Sequence, residues 1–81
     1  MRIRVLLFAL YRDLAGTGEF EVDLPAGETA GGLVARLRAR GGGLERLPDA
    51  PPLAVNEEYA GPDTVLEDGD EVALLPPVAG G

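Results

Sequence analysis

The chain contains no cysteine and no histidine. That excludes a disulfide scaffold, a zinc site of the usual kind, and catalysis by a thiolate or an imidazole. If the protein handles sulfur, a cysteine side chain is not the carrier. Lysine is absent too, and every basic side chain is an arginine. No side-chain amine exists to accept an isopeptide bond, so the chain cannot build lysine-linked polymers of itself. There is no run of about 18 apolar residues, which excludes a membrane-spanning helix. The start, Met1 to Phe8, places basic residues before an apolar stretch, but Arg12 and Asp13 soon interrupt it. No secretory segment is expected, and the expected compartment is the cytoplasm. Positive charge is scarce as well. Fourteen acids face seven arginines, a net charge of −7. That disfavours a nucleic-acid surface and suits a basic protein partner or simple solubility.

What is present is enough apolar residue, 46% of 81 positions, for one small domain with one core. Ile3, Val5 and Leu7 share one side of a first strand. Arg2, Arg4, Leu6 and Phe8 share the other, which begins polar and ends apolar. Residues 11–18 read as a turn or helical turn closed by glycine. Phe20, Val22 and Leu24 alternate with Glu19, Glu21 and Asp23 in a half-buried strand, hairpin-paired to the first. Thr29 suits a helix N-cap, Leu33, Val34 and Leu37 form the helix stripe, and Gly41 to Gly43 stop it. Gly31 and Gly32 fall in the first turns, at about 1 kcal/mol each against alanine. They imply that packing stabilises this helix, or that it approaches the sheet closely. Leu44 and Leu47 are candidate core plugs in a loop. Leu53 to Val55 read as a short strand, with Tyr59 and Ala60 returning after a turn. Asp68 and Asp70 lie in a tight acidic turn as turn-formers rather than metal ligands, and no metal site is expected.

The order strand, strand, helix, short strands, strand gives an α+β roll with a mixed sheet and one main helix on one face. The last strand, Glu71 to Leu75, sits beside the first and parallel to it in the sheet centre, because both are apolar on both faces. Phe8, Leu75 and Tyr59 then fall near the root of the C-terminus. They form a docking patch, or a merely apolar sheet face, or a face covered by the loop near Leu44.

The C-terminal residues are Pro76, Pro77, Val78, Ala79, Gly80 and Gly81. Two prolines favour a stiff extended path, and two glycines leave the tip bare. Six extended residues reach at most about 20 Å. The expected organisation is a domain at 1–75 and a flexible tail at 76–81. The tail would present the Gly81 carboxylate to a buried site in another protein.

Several segments carry a resemblance: Val5 to Ala9, Arg12 to Gly16, Ala54-Val55-Asn56, Leu66 to Ala73, and the Pro-Pro-Val-x-Gly-Gly end. The chain resembles the small, sulfur-carrying subunit of molybdopterin synthase (the MoaD family), which has the ubiquitin-like β-grasp fold. The resemblance implies that an E1-like enzyme uses ATP to adenylate Gly81, and that a sulfur donor converts it to a thiocarboxylate. It implies that the tail, with Gly80 bare, then enters the large synthase subunit and donates sulfur to a pyranopterin precursor. It also implies a 2:2 complex with that subunit, with Phe8, Tyr59 and Leu75 packed on it and the tail residues in its channel. Arg12 either pairs with an acid there or is a solvated loop residue. No cofactor is bound by the chain itself. The thiamine-pathway carrier is a close rival, as are carriers for tRNA thiolation or protein tagging, and a non-catalytic ubiquitin-like interaction module is another class. The segment from Phe8 to Gly16 and the Pro76-Pro77-Val78 tail favour the molybdopterin version.

Overall fold

The structure, a computed structural model, describes residues 1–76. Their elements are β1 (Arg2–Leu7), α1 (Ala9–Ala15), β2 (Glu19–Asp23), α2 (Ala30–Arg40), a 3-10 turn (Leu44–Arg46), β3 (Leu53–Val55), β4 (Glu58–Ala60) and β5 (Glu71–Leu74). The strands form one sheet in the order β2-β1-β5-β3-β4. β1 and β5 are parallel and central, and the other pairings are antiparallel. This is the closure that the two-sided apolar character of β1 and β5 demands.

Alternation sorts the side chains. Ile3, Val5 and Leu7 are buried on one face with Val72 and Leu74. α2 covers that face with Leu33, Val34 and Leu37, all at most 1% exposed. Leu44 and Leu47 close the core from the loop after α2, as expected. That loop therefore packs on the helix side of the sheet, where its leucines join the core, and does not cover the opposite face.

α2 begins where Thr29 Oγ1 accepts the Gly32 N–H at 3.1 Å. The glycine pair has a specific cause, and it is not proximity to the sheet. Gly31 donates its N–H to the Pro62 carbonyl at 2.9 Å, and a Cβ there would press on Pro62 at 3.1 Å. A Cβ on Gly32 would overlap the Glu28 carboxylate. That carboxylate accepts from Arg36 Nε at 2.7 Å and from the Thr29 N–H at 3.0 Å. The ion pair with Arg36 first, and the Thr29 N–H second, hold Glu28 below the usual carboxylate range.

α1 differs from the sequence expectation by starting two residues earlier, at Ala9. Phe8 is still extended (φ −126°, ψ 157°), and Ala9 then takes a left-handed φ of 47° that turns strand into helix. The Phe8 carbonyl accepts the Tyr11 N–H at 3.0 Å, and Gly16 caps the other end. The kink points Tyr11 inward to 3% exposure, and burial raises the pKa of its hydroxyl.

Candidate functional site

The sheet face opposite α2 is built in rows by the strand register. Nearest the β1 N-terminus the row is Asp23 and Arg2. The next is Glu21, Arg4 and Glu71, and beside it Asn56, just after β3, donates its N–H to the Glu71 carbonyl at 2.8 Å. Arg2 pairs with Glu21 at 2.9 Å and Asp23 at 3.0 Å, and Arg4 with Glu19 at 2.7 Å. Hydrogen bonding to Glu21 and Glu19 raises the pKa of Arg2 and Arg4 respectively. Exposed pairs of this kind are screened by solvent and add little to stability. Their main effect is to make this half of the face polar.

The other half is apolar. The third row runs Leu6, Ala73, Ala54, Tyr59 across β1, β5, β3 and β4, with Glu19 at its β2 end. The last row continues the alternation with Phe8, Leu75 and Pro52, and the Leu75 N–H donates to the Pro52 carbonyl at 2.8 Å. Phe8 is 45% exposed and Tyr59 87%. Large apolar side chains at that exposure are what a docking surface requires. The main-chain ladder ends here because Pro76 has no N–H to extend it. The described residues thus end, at Pro76, at the apolar end of the face.

Two features hold this geometry. The β3–β4 hairpin turns through Asn56 (φ 50°) and Glu57 (φ 71°), the two left-handed positions of a type I′ turn, which sets Tyr59 opposite Ala54. The Asn56 side chain then ties the hairpin to the acidic turn. Its amide donates to Asp70 Oδ1 at 2.9 Å, and its carbonyl accepts the Glu71 N–H at 3.0 Å. Asp70 also accepts the Glu67 N–H at 2.8 Å, and Asp68 accepts the Arg2 N–H at 2.6 Å. Both carboxylates serve the turn, as their placement in the sequence suggests.

Of the residues singled out from the sequence, Phe8, Leu75 and Pro76 come together, and Tyr59 stands on the same face. Arg12 lies one helical turn from Phe8, whose carbonyl accepts the Arg12 N–H at 3.4 Å. It lies on α1 with its stem against Gly18, on the β2 side of the sheet and away from Tyr59. Pro77, Val78, Ala79, Gly80 and Gly81 lie outside the described residues. Sequence reasoning missed Pro52, Ala54 and Ala73, whose small size and loop setting give no signal until the register aligns them.

The ThiS family profile matches residues 5–81. The chain belongs to the ThiS family. Among the relatives of this ThiS-family chain, the molybdopterin synthase sulfur carrier subunit of Drosophila erecta is 43% identical over 84 residues, covering 100% of this chain and 92% of the relative. SAMP1 from Haloferax volcanii superposes with a TM-score of 0.85 at 30% identity, covering 100% of both chains. A chain from the complex of subunits 1 and 2 of the molybdopterin-converting factor of Helicobacter pylori superposes at 0.70 and 28% identity, also over 100% of both. The fold is the ubiquitin-like β-grasp, as the resemblance implied. Among the described residues no helix is long and apolar enough to cross a membrane.

Proposed function

We propose that this chain is the sulfur-carrying small subunit of molybdopterin synthase, working in the cytoplasm. One observation carries the reading: among the described residues, the apolar half of the sheet face opposite α2 ends at Pro76, five residues ahead of Gly81. Docking and delivery are thereby adjacent. An E1-like partner first activates Gly81. Its carboxylate oxygen attacks the α-phosphorus of ATP, and pyrophosphate leaves. A donor persulfide sulfur then attacks the acyl carbon and expels AMP. A second thiol cleaves the resulting acyl disulfide, leaving a thiocarboxylate on Gly81. The large synthase subunit takes up the tail, and the sulfur attacks a carbon of the pyranopterin precursor and displaces an oxygen substituent, so that a C–S bond replaces a C–O bond. Hydrolysis of the acyl link restores the carboxylate for another round, and two rounds supply both sulfurs of the dithiolene.

In this scheme the chain contributes no acid, base or cofactor of its own. It supplies a reactive acyl group, a side-chain-free approach at Gly80 and an anchoring face. Phe8, Tyr59 and Leu75 pack on the large subunit, in the 2:2 assembly expected from the resemblance, with Pro76, Pro77, Val78 and Ala79 lining its channel. The test is intact mass after incubation with the E1-like enzyme, ATP and a sulfur donor. A gain equal to one oxygen-for-sulfur exchange, followed by conversion of the pterin precursor when the large subunit is added, supports the reading. An unchanged mass refutes it. The full-length likeness to SAMP1 favours a second reading, transfer of Gly81 to an amine of another protein. Conjugates of this chain on other proteins in cells, persisting without the large subunit, would favour that outcome.

A further inference from the structure

We propose that Ala54 and Ala73 form the floor of an acceptor site for one bulky apolar side chain of the large synthase subunit. The proposal rests on the carrier reading above.

The register places the two alanines side by side between two large residues, Leu6 on β1 and Tyr59 on β4. Neighbouring strands are about 4.8 Å apart, so Leu6 and Tyr59 stand roughly 14 Å from each other with only two methyl groups between them. Tyr59, at 87% exposure, does not fold down over that gap. Phe8, Leu75 and Pro52 bound it on the side of the C-terminus, and Arg4, Glu71 and Asn56 on the other. The two alanines thus form a low, half-buried stretch between taller side chains on either side.

Its chemistry selects the occupant. The floor is two methyl groups over a sheet interior whose main-chain groups pair with neighbouring strands, so it offers no hydrogen bond to a polar guest. An aromatic or leucine side chain fits over the methyl groups, whereas a charged one would find partners only at the Arg4–Glu71 edge and be desolvated over the floor itself. The reach of the C-terminus selects the protein that brings it. The five residues after Pro76 span at most about 18 Å. A partner that takes Gly81 into its active site must therefore lie over this end of the sheet, and Ala73 is only two residues from Leu75. The alanines are thus specificity-determining: a low floor admits the partner's side chain, and a filled one repels it.

The experiment fills the floor. Ala73→Leu and Ala54→Leu each add bulk on a solvent-facing strand position, where leucine does not weaken the sheet. Affinity for the large subunit of the same organism is measured by calorimetry, with thermal melting as the folding control. Both variants should melt no lower than wild type and bind about tenfold or more weakly. Val65→Leu, at the isolated bridge to Thr29 beside the start of α2, should bind as wild type. A wild-type readout protects the test from a misfolded variant: in methyl NMR, the Ala54 and Ala73 methyls should lose solvent accessibility when the large subunit binds. Unchanged affinity of a folded filled variant, or methyls equally accessible in the complex, overturns the proposal and leaves the carrier reading standing. Self-association of the chain alone that Ala73→Leu abolishes would also overturn it, by assigning the floor to a second copy. If wild type fails to bind the large subunit, the carrier reading itself falls.

Discussion

Phe8→Ala offers a quantitative test of the docking face. Phe8 keeps 45% of its surface exposed in the free chain. On about 200 Å² for the whole residue, roughly 90 Å² remains to be covered by a partner, or about 2 kcal/mol at about 25 cal/mol per Å². Truncation should therefore raise the Kd for the large subunit about 30-fold. The buried remainder of the ring lies against the domain, so the variant should also melt lower than wild type while keeping its far-UV circular dichroism. Calorimetric titration at a temperature well below melting separates the two effects. Val65→Ala is the control: its side chain is 59% exposed, more than Phe8, but it sits beside the start of α2. If exposure alone drove binding, Val65 would matter as much. The reasoning is refuted if Phe8→Ala binds within about twofold of wild type, or if Val65→Ala weakens binding equally.

Other outcomes are expected. Deleting Gly81, or adding one residue after it, should abolish the thiocarboxylate mass gain without moving the melting temperature; retained sulfur loading would contradict the carrier reading. Glu57→Gly should stabilise the domain by about 1 kcal/mol, because Glu57 occupies a left-handed φ of 71° that glycine adopts without strain; chemical denaturation would show a higher midpoint. Glu28 is held below its ordinary pKa when folded, mainly by Arg36. Its contribution is therefore complete above the ordinary carboxylate range and is lost as pH falls through that range to the depressed folded value. Melting followed from neutral to acid pH should show wild type losing its advantage over Glu28→Gln, and a constant difference would refute the assignment.

Much of this architecture is visible in local pattern. Strict alternation in Glu19–Asp23 separates an inner from an outer face before any partner strand is known. β1 and β5 meet at the sheet centre with Ile3, Val5, Leu7, Val72 and Leu74 buried on one face, while their other face passes from Arg2, Arg4 and Glu71 to the apolar Leu6 and Ala73. Thr29 reads as a helix cap from its oxygen and its position, and its Oγ1 accepts the Gly32 N–H. The absence of cysteine excludes a thiol side chain as a sulfur carrier.

Tertiary structure decided what depends on distant segments meeting. Gly31 and Gly32 look like helix faults until Pro62 and Glu28 occupy the space their side chains would need. Tyr11 goes inward only because the backbone kinks at Ala9. Above all, Leu6, Ala73, Ala54 and Tyr59 form one row although they come from four strands. A strand's period of two is a local property of its own backbone, so sequence assigns each residue a face. Which residues stand side by side on that face follows from hydrogen-bond register between chain segments far apart, and only the folded sheet fixes that register.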